Sequence, residues 1–216
     1  MTATTTLLAS ATLLAVWAAE AAAHGMLWWP ANRGSMWRFG YKTPVNYDDN
    51  GLFCGGFSVQ WEQNGGRCGE CGDDYSLPRP RPNENTGQFG TGVVVARLAR
   101  GQAFNASVRL TANHLGYFQF KLCPLRGATE LETQACFDAH PLPVLGATDY
   151  KYHVPSADPG TFSVGLQLPP LVACERCVLQ WTYTTGNSWG NCNNGTSRLG
   201  CGSQETFRTC SDISVL

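Results

Sequence analysis

The chain has 216 residues, of which 14% are charged and 43% are hydrophobic, and its formal net charge is −1. This length favours one domain, the hydrophobic content excludes wholesale disorder, and the near-zero charge gives no electrostatic reason to expect nucleic-acid or membrane binding. The 24 Gly and 12 Pro residues argue against a helical bundle and favour an all-β fold of short strands joined by turns.

The N-terminal segment, residues 1–23, is predicted to be a secretory signal peptide. The apolar run at 7–19 has the length of a signal h-region and is too short to cross a bilayer. Ala21 and Ala23 supply the small residues of an A-x-A cleavage site. We therefore expect an extracellular protein whose mature chain begins at His24.

The number of cysteines, ten, is consistent with a secreted protein. An even number of cysteines in a short secreted chain predicts a disulfide framework, although the sequence leaves the connectivity open. Two CxxC pairs, at 68–71 and 174–177, make a four-cysteine zinc site the alternative. Acceptor sequences at Asn105 and Asn194 predict N-glycosylation on the same route.

The mature chain divides into a loop-rich first part and a strand-rich second part. Residues 24–77 show little periodicity and predict long loops, and the Pro-Arg-Pro-Arg-Pro run at 78–82 favours a surface loop over an interdomain linker. One short helix is predicted within 129–140. The alternation of apolar residues predicts strands near 93–98, 104–111, 118–122, 162–168, 177–184 and 204–213. Short strands at this spacing indicate an antiparallel β-sandwich.

Two of the four histidines are candidate metal ligands. As the first mature residue, His24 offers a free α-amino group and ring Nδ1, which together close a chelate. His114 lies on the same strand face as Leu110 and is expected at the rim of the sheet, with a core-edge histidine bonded to backbone as the alternative. Three such nitrogens would favour copper(II) over zinc. His140 and His153 are predicted in solvated loops.

Other catalytic chemistry has weaker support in the sequence. Phe207, in the final strand, fits a core position as well as a position axial to copper. The acidic residues available for a glycosidase pair fall in turn-like segments, where turn formation explains them equally well. The sequence contains no GxSxG, HExxH or phosphate-binding glycine motif.

Distinctive motifs are HGMLWWPANRGSMWR at 24–38, FCGGF at 53–57, QWEQNGGRCGECGD at 60–73, LTANH at 110–114 and QETFRTCSDI at 204–213. Together they resemble the lytic polysaccharide monooxygenases of auxiliary-activity family fifteen, found in invertebrates. The resemblance covers essentially the whole mature chain, residues 24–216. It implies an immunoglobulin-like or fibronectin-like β-sandwich with long disulfide-tied loops, and one mononuclear copper ion on a flat face.

The resemblance also assigns the residues of the copper site. His24 and His114 match the two histidines that bind the metal. Phe207 matches the axial position, where many relatives carry Tyr, and in this respect the chain is similar to the bacterial chitin-active family.

Three further positions are assigned by the same resemblance. Ala112 matches the small residue that leaves room beside the vacant copper face. Glu205 matches a group that supports the site by hydrogen bonding, and Gln204 is the alternative for that role.

The activity that the resemblance implies is oxidative cleavage of crystalline β-1,4-linked polysaccharide, with chitin as the expected substrate and cellulose as the alternative. The enzyme would act as a secreted monomer and would need an external electron donor, with O₂ or H₂O₂ as co-substrate. Hydroxylation at the glycosidic carbon would then break the bond. A non-catalytic secreted chitin-binding protein is the alternative. A zinc hydrolase would need three protein ligands, whereas the sequence offers two well-placed histidines.

Overall fold

The computed structural model describes residues 23–216, so the predicted signal segment, apart from Ala23, lies outside the described residues. The strands are β1 His24–Trp29, β2 Ala96–Leu98, β3 Ala103–Ala112, β4 Tyr117–Pro124, β5 Tyr152–His153, β6 Gly160–Gln167, β7 Cys174–Thr184, β8 Trp189–Asn191, β9 Ser197–Leu199 and β10 Thr206–Val215. The helical segments are a 3₁₀ turn at Met36–Phe39, a π-helical turn at Val59–Gln63 and the helix α1 at Gln134–Asp138. None of the helices between 23 and 216 is both long and apolar enough to span a membrane.

Two sheets form a β-sandwich. The smaller sheet has the order β1-β3-β6, and the larger has the order β2-β10-β7-β4-β5. β8 and β9 form a separate hairpin. All pairs are antiparallel except β2 with β10, which are parallel. The predicted all-β sandwich is confirmed, although the strand predicted at 93–98 is paired as a ladder only over the three residues of β2.

The core between the sheets follows the predicted alternation. On β3 the side chains of Phe104, Ala106, Val108 and Leu110 are buried, and the residues between them are exposed or half-buried. Burial of one such large apolar side chain contributes about 1.5–3 kcal/mol. A slip of one residue would turn this whole face to solvent, so the packing fixes the point at which the chain leaves β3.

The first part of the chain departs from its prediction. Residues 24–29 were expected in a loop but form β1, which pairs with β3. β1 shows no alternation in its sequence because three consecutive residues, 25–27, are buried. The Pro-rich run at 78–82 is exposed at residues 78–80, as expected of a surface loop, and it is anchored by Arg81, which is buried and paired with Glu70 and Glu84.

All ten cysteines form disulfides, which confirms the predicted framework. The pairs are 54–68, 71–210, 123–136, 174–177 and 192–201. The four-cysteine zinc alternative is wrong, because the cysteines at 68 and 71 pair outside their own CxxC motif and those at 174 and 177 pair with each other.

The outer face of the larger sheet is covered by the loops of the first part, and Arg33 lies at the centre of this contact. Its side chain is 1% exposed and donates to both carboxylate oxygens of Asp212, at 2.9 and 2.7 Å. It also pairs with the buried carboxylate of Glu132 and donates to the carbonyl oxygen of Asn83. Burial by itself would lower the pKa of Arg33, but Asp212 and Glu132 raise it above its usual value.

We expect Arg33→Ala to lower the free energy of unfolding by about 3–5 kcal/mol, because two buried carboxylates would lose their shared cation. Arg97→Ala is the matched control, since Arg97 is exposed and its loss is expected to change stability by less than about 0.5 kcal/mol. Urea unfolding of the three proteins measures both values. Equal midpoints for the two variants would contradict the role given to Arg33.

Candidate metal centre

Strand pairing brings the two candidate histidines to the same end of the smaller sheet. The register of β1 with β3 places His24 opposite Ala112, two residues before His114. Gly25 permits this pairing, since a Cβ built at that position would lie 2.3 Å from Cδ2 of Leu110. A larger residue at position 25 would therefore displace the buried side chain of Leu110.

His114 is held by its backbone on both sides. Its N–H donates to the hydroxyl of Tyr183 at 3.0 Å, and its carbonyl oxygen accepts from the N–H of Gly186 at 2.9 Å. The turn that follows needs Gly116, whose φ is +84° and where a Cβ would lie 2.0 Å from the carbonyl oxygen of Thr184. These contacts fix the direction in which the half-buried imidazole leaves the strand.

The ring of His114 has an unused nitrogen. Its Nε2 is buried and has no hydrogen-bond partner among residues 23–216. By contrast, Nδ1 of His140 lies 3.0 Å from the carbonyl oxygen of Cys136, and Nε2 of exposed His153 lies 3.1 Å from Asp149. Buried polar atoms are nearly always paired, so the unpaired Nε2 leaves His114 with a nitrogen that is available to bind a metal ion.

Glu205 lies at the same site. Its carboxylate accepts from the backbone N–H of Ala23, the residue directly before His24, at 3.3 Å. Its side chain also lines a cleft together with His114. Burial raises the pKa of Tyr183 to about 12, and the negative charge of Glu205 adds to this shift.

Gln204, the alternative to Glu205, is directed elsewhere. Its Oε1 accepts from the N–H of Ser188 at 3.0 Å, and its Nε2 donates to the carbonyl oxygens of Ser188 and Cys201 at 3.1 and 2.7 Å. The buried amide of Gln204 therefore ties together the two sides of the β8–β9 hairpin, and of the two residues Glu205 is the one that lines the cleft beside His114.

Phe207 is a core residue that lies next to the site. It is 1% exposed, and its ring stacks between those of Phe53 and Tyr183, each at a centroid distance of 5.9 Å. Tyr183 in turn accepts the N–H of His114. Ala112 is half-buried and opposite His24, where its methyl group takes little space.

An open cleft of about 800 Å³ adjoins these residues. Besides His114 and Glu205 its lining includes Ser188 and two exposed aromatic residues, Phe57 and Trp189. Sequence reasoning missed both aromatics, because neither belongs to an apolar period. Their position among Gly, Ser and Asn residues was the available signal, since an aromatic side chain in such a segment is often exposed.

Comparison with known proteins identifies the family. The family described as "Lytic polysaccharide mono-oxygenase, cellulose-degrading" matches residues 24–213. A solved structure, "Lytic Polysaccharide Monooxygenase AA15 from Thermobia domestica in the Cu(I) State", is 48% identical, with a TM-score of 0.87 over 89% of this chain and 98% of that chain. No curated protein sequence gives a significant match. The chain therefore belongs to the lytic polysaccharide monooxygenase family.

Proposed function

We propose that the mature chain is a secreted, monomeric, copper-dependent monooxygenase that oxidatively cleaves crystalline β-1,4-linked polysaccharide, with chitin as its substrate and cellulose as the alternative. The observation that carries the proposal is the buried, unpaired Nε2 of His114 at the end of the strand that pairs with β1. The similar Thermobia domestica structure, described as being in the Cu(I) state, supports copper as the metal.

The residues present fit a copper ion. His24 would contribute its α-amino group and ring Nδ1, and His114 would contribute Nε2, which gives the three nitrogen ligands that copper(II) favours. Cleavage after Ala23 creates the amine, because before cleavage that nitrogen belongs to a peptide bond. Copper, when bound and reduced by an external electron donor, supplies one-electron chemistry toward O₂ or H₂O₂.

The surrounding side chains prepare this site. Phe207 offers no ligand atom and, stacked between two other rings, excludes water from the side of the core. Ala112 leaves space beside His24. Glu205 accepts a hydrogen bond from Ala23, the residue that cleavage would remove, so in the mature chain its carboxylate could accept one from the terminal amino group of His24 and orient it. These assignments correspond to the support that metal ligands commonly need from neighbouring groups.

The exposure of the two predicted glycosylation sites is consistent with secretion. Asn105 and Asn194, the predicted glycosylation acceptors, are both exposed. The five disulfides are of the kind that persists in an oxidising compartment.

Product analysis tests the function directly. Protein that begins at His24 is loaded with copper and incubated with ascorbate and either chitin or crystalline cellulose, and the soluble products are analysed by mass spectrometry. We expect oxidised oligosaccharides from chitin, with a smaller yield from cellulose. Binding to chitin without oxidised products would favour the non-catalytic alternative, and products from cellulose alone would overturn the preference for chitin.

Retention of any residue before His24 is expected to weaken copper binding by at least about 10- to 100-fold, because one of three ligands becomes an amide nitrogen. Isothermal titration calorimetry compares the mature protein with a variant that carries one additional N-terminal Ala. Equal affinities would show that the amine is not a ligand.

We expect His114→Ala to abolish release of oxidised oligosaccharides while the fold stays intact, because the buried anchors of β3 are unchanged. His153→Ala is the matched control, since His153 is exposed and paired with Asp149. Product release is measured with copper and ascorbate, and folding is followed by circular dichroism. Activity retained in His114→Ala would contradict the ligand assignment.

Phe207→Tyr is expected to shift the electron paramagnetic resonance spectrum of the copper-loaded protein, because a phenol oxygen would be placed beside the site. The rings are nearly isosteric, so we expect a stability cost below about 1.5 kcal/mol. Phe137→Tyr is the control and is expected to leave the spectrum unchanged, since Phe137 is equally buried but packs away from the site, among Leu125, Val178 and the disulfides 71–210 and 123–136. An unchanged spectrum with a clearly lowered melting temperature would leave Phe207 with a packing role alone.

A further inference from the structure

A second groove, the side groove, lies on the outer face of the smaller sheet. It has a volume of about 500 Å³, and its lining includes Trp28 of β1, Arg109 and Thr111 of β3, and Thr161 of β6. None of the described residues lines both the side groove and the cleft beside His114. A ligand in the side groove and a ligand in the cleft can therefore be bound at the same time.

Arg109 gives the side groove its charge. It is the sole charged residue among the described residues that line the groove, and it is exposed. Its guanidinium lies 5.2 Å from the centre of the Trp28 ring, and it forms no ion pair with a carboxylate in the part of the chain from 23 to 216. A guanidinium presents a planar fork of N–H donors that fits two adjacent oxygen atoms of an anion. The side groove is therefore suited to an anion rather than to a cation or a neutral sugar.

The other lining residues favour a small planar ligand. The half-buried indole of Trp28 contacts both Arg109 and the ring of Phe39, whose centroid is 4.7 Å away. An aromatic ring held in this way offers a flat apolar surface and loses little conformational entropy on binding. The hydroxyl groups of Thr111 and Thr161 can each donate or accept a hydrogen bond. A flat anion that carries hydroxyl groups would use all three kinds of contact.

Thr111 connects the side groove to the candidate metal centre. Its Oγ1 donates to the carbonyl oxygen of His24 at 3.4 Å and accepts from Nδ2 of Asn50 at 3.1 Å. The next residue, Ala112, lies opposite His24 in the ladder of β1 with β3. A ligand that contacts Thr111 therefore touches a residue that is itself hydrogen-bonded to the first mature residue.

We propose that the side groove binds the electron donor as a small planar anion of the enediol class. Two adjacent oxygen atoms of the enediol bind the guanidinium of Arg109, and its ring packs on Trp28. The anion gives one electron to copper(II), which becomes copper(I), releases one proton to solvent and leaves as a radical anion with its heavy-atom bonds intact. This inference rests on the proposed function for the use of the electron, while binding of the anion is testable without copper.

Binding is measured by nuclear magnetic resonance on the mature, metal-free protein with L-ascorbate in the absence of oxygen. We expect chemical-shift changes at the amides of Thr111 and Thr161 and at the indole N–H of Trp28. Arg109→Gln is expected to weaken binding at least about fivefold, with Arg109→Lys intermediate, because lysine keeps the charge but not the planar fork. Arg97→Gln is the matched control, since Arg97 is exposed on β2 in the other sheet. Unchanged affinity in Arg109→Gln, or shift changes confined to residues outside the side groove, would overturn the proposal.

Anaerobic reduction of the copper-loaded protein tests the use of the side groove. With ascorbate below saturation, we expect Arg109→Gln to be reduced at least about fivefold more slowly than wild type and Arg97→Gln at the wild-type rate. A neutral diphenol is expected to reduce all three proteins at the same rate, and copper affinity measured by calorimetry is expected to be equal.

Two results of the reduction experiment would contradict the assignment. Unchanged reduction of Arg109→Gln by ascorbate would show that the bound anion is not the electron donor, and an equal loss of rate with the neutral diphenol would show that the charge of Arg109 does not select the donor. If ascorbate binds through Arg109 but the copper-loaded protein yields no oxidised oligosaccharide, the proposed function fails and the anion site stands.

Discussion

Pairing between β1 and β3 is the contact on which the metal centre depends. Adjacent strands lie about 4.8 Å apart, so the ladder sets the first residue of β1 beside the residues that lead into His114. The proposed ligand role of His24 requires this register, because a shift of β1 along β3 would move His24 away from Ala112. Gly25 permits the close approach, since a Cβ there would lie against the side chain of Leu110.

β10 joins the site to the stability of the whole molecule. Its inner face carries Phe207 into the aromatic stack below His114, and its outer face carries Cys210 and Asp212, which bind the loops of the first part of the chain. The same loops supply one part of the cleft lining, including Phe57. The loops of the first part, which carry Phe57 into the cleft lining, are thus attached to β10 by a disulfide and an ion pair.

The sequence predicts those parts of the structure that follow a local period. The alternation on β3 predicts both the strand and its buried face. The two nitrogens of an N-terminal histidine, and the place of His114 at the end of a strand, identify His24 and His114 as candidate ligands. β1 was not predicted because consecutive residues in it are buried, so its sequence does not alternate between apolar and polar residues. The choice between Gln204 and Glu205 depends on tertiary contacts, which the sequence of two adjacent polar residues does not show. The position of Trp189 likewise depends on tertiary contacts, since its hairpin is held by the Cys192–Cys201 disulfide and the buried amide of Gln204.

Electron paramagnetic resonance of protein that begins at His24, loaded with one equivalent of copper(II), probes the proposed ligands themselves. We expect a tetragonal spectrum with hyperfine coupling to three nitrogen atoms, which changes when His114 is replaced or when one residue is added before His24. A spectrum that is the same in all three proteins would show that copper binds elsewhere.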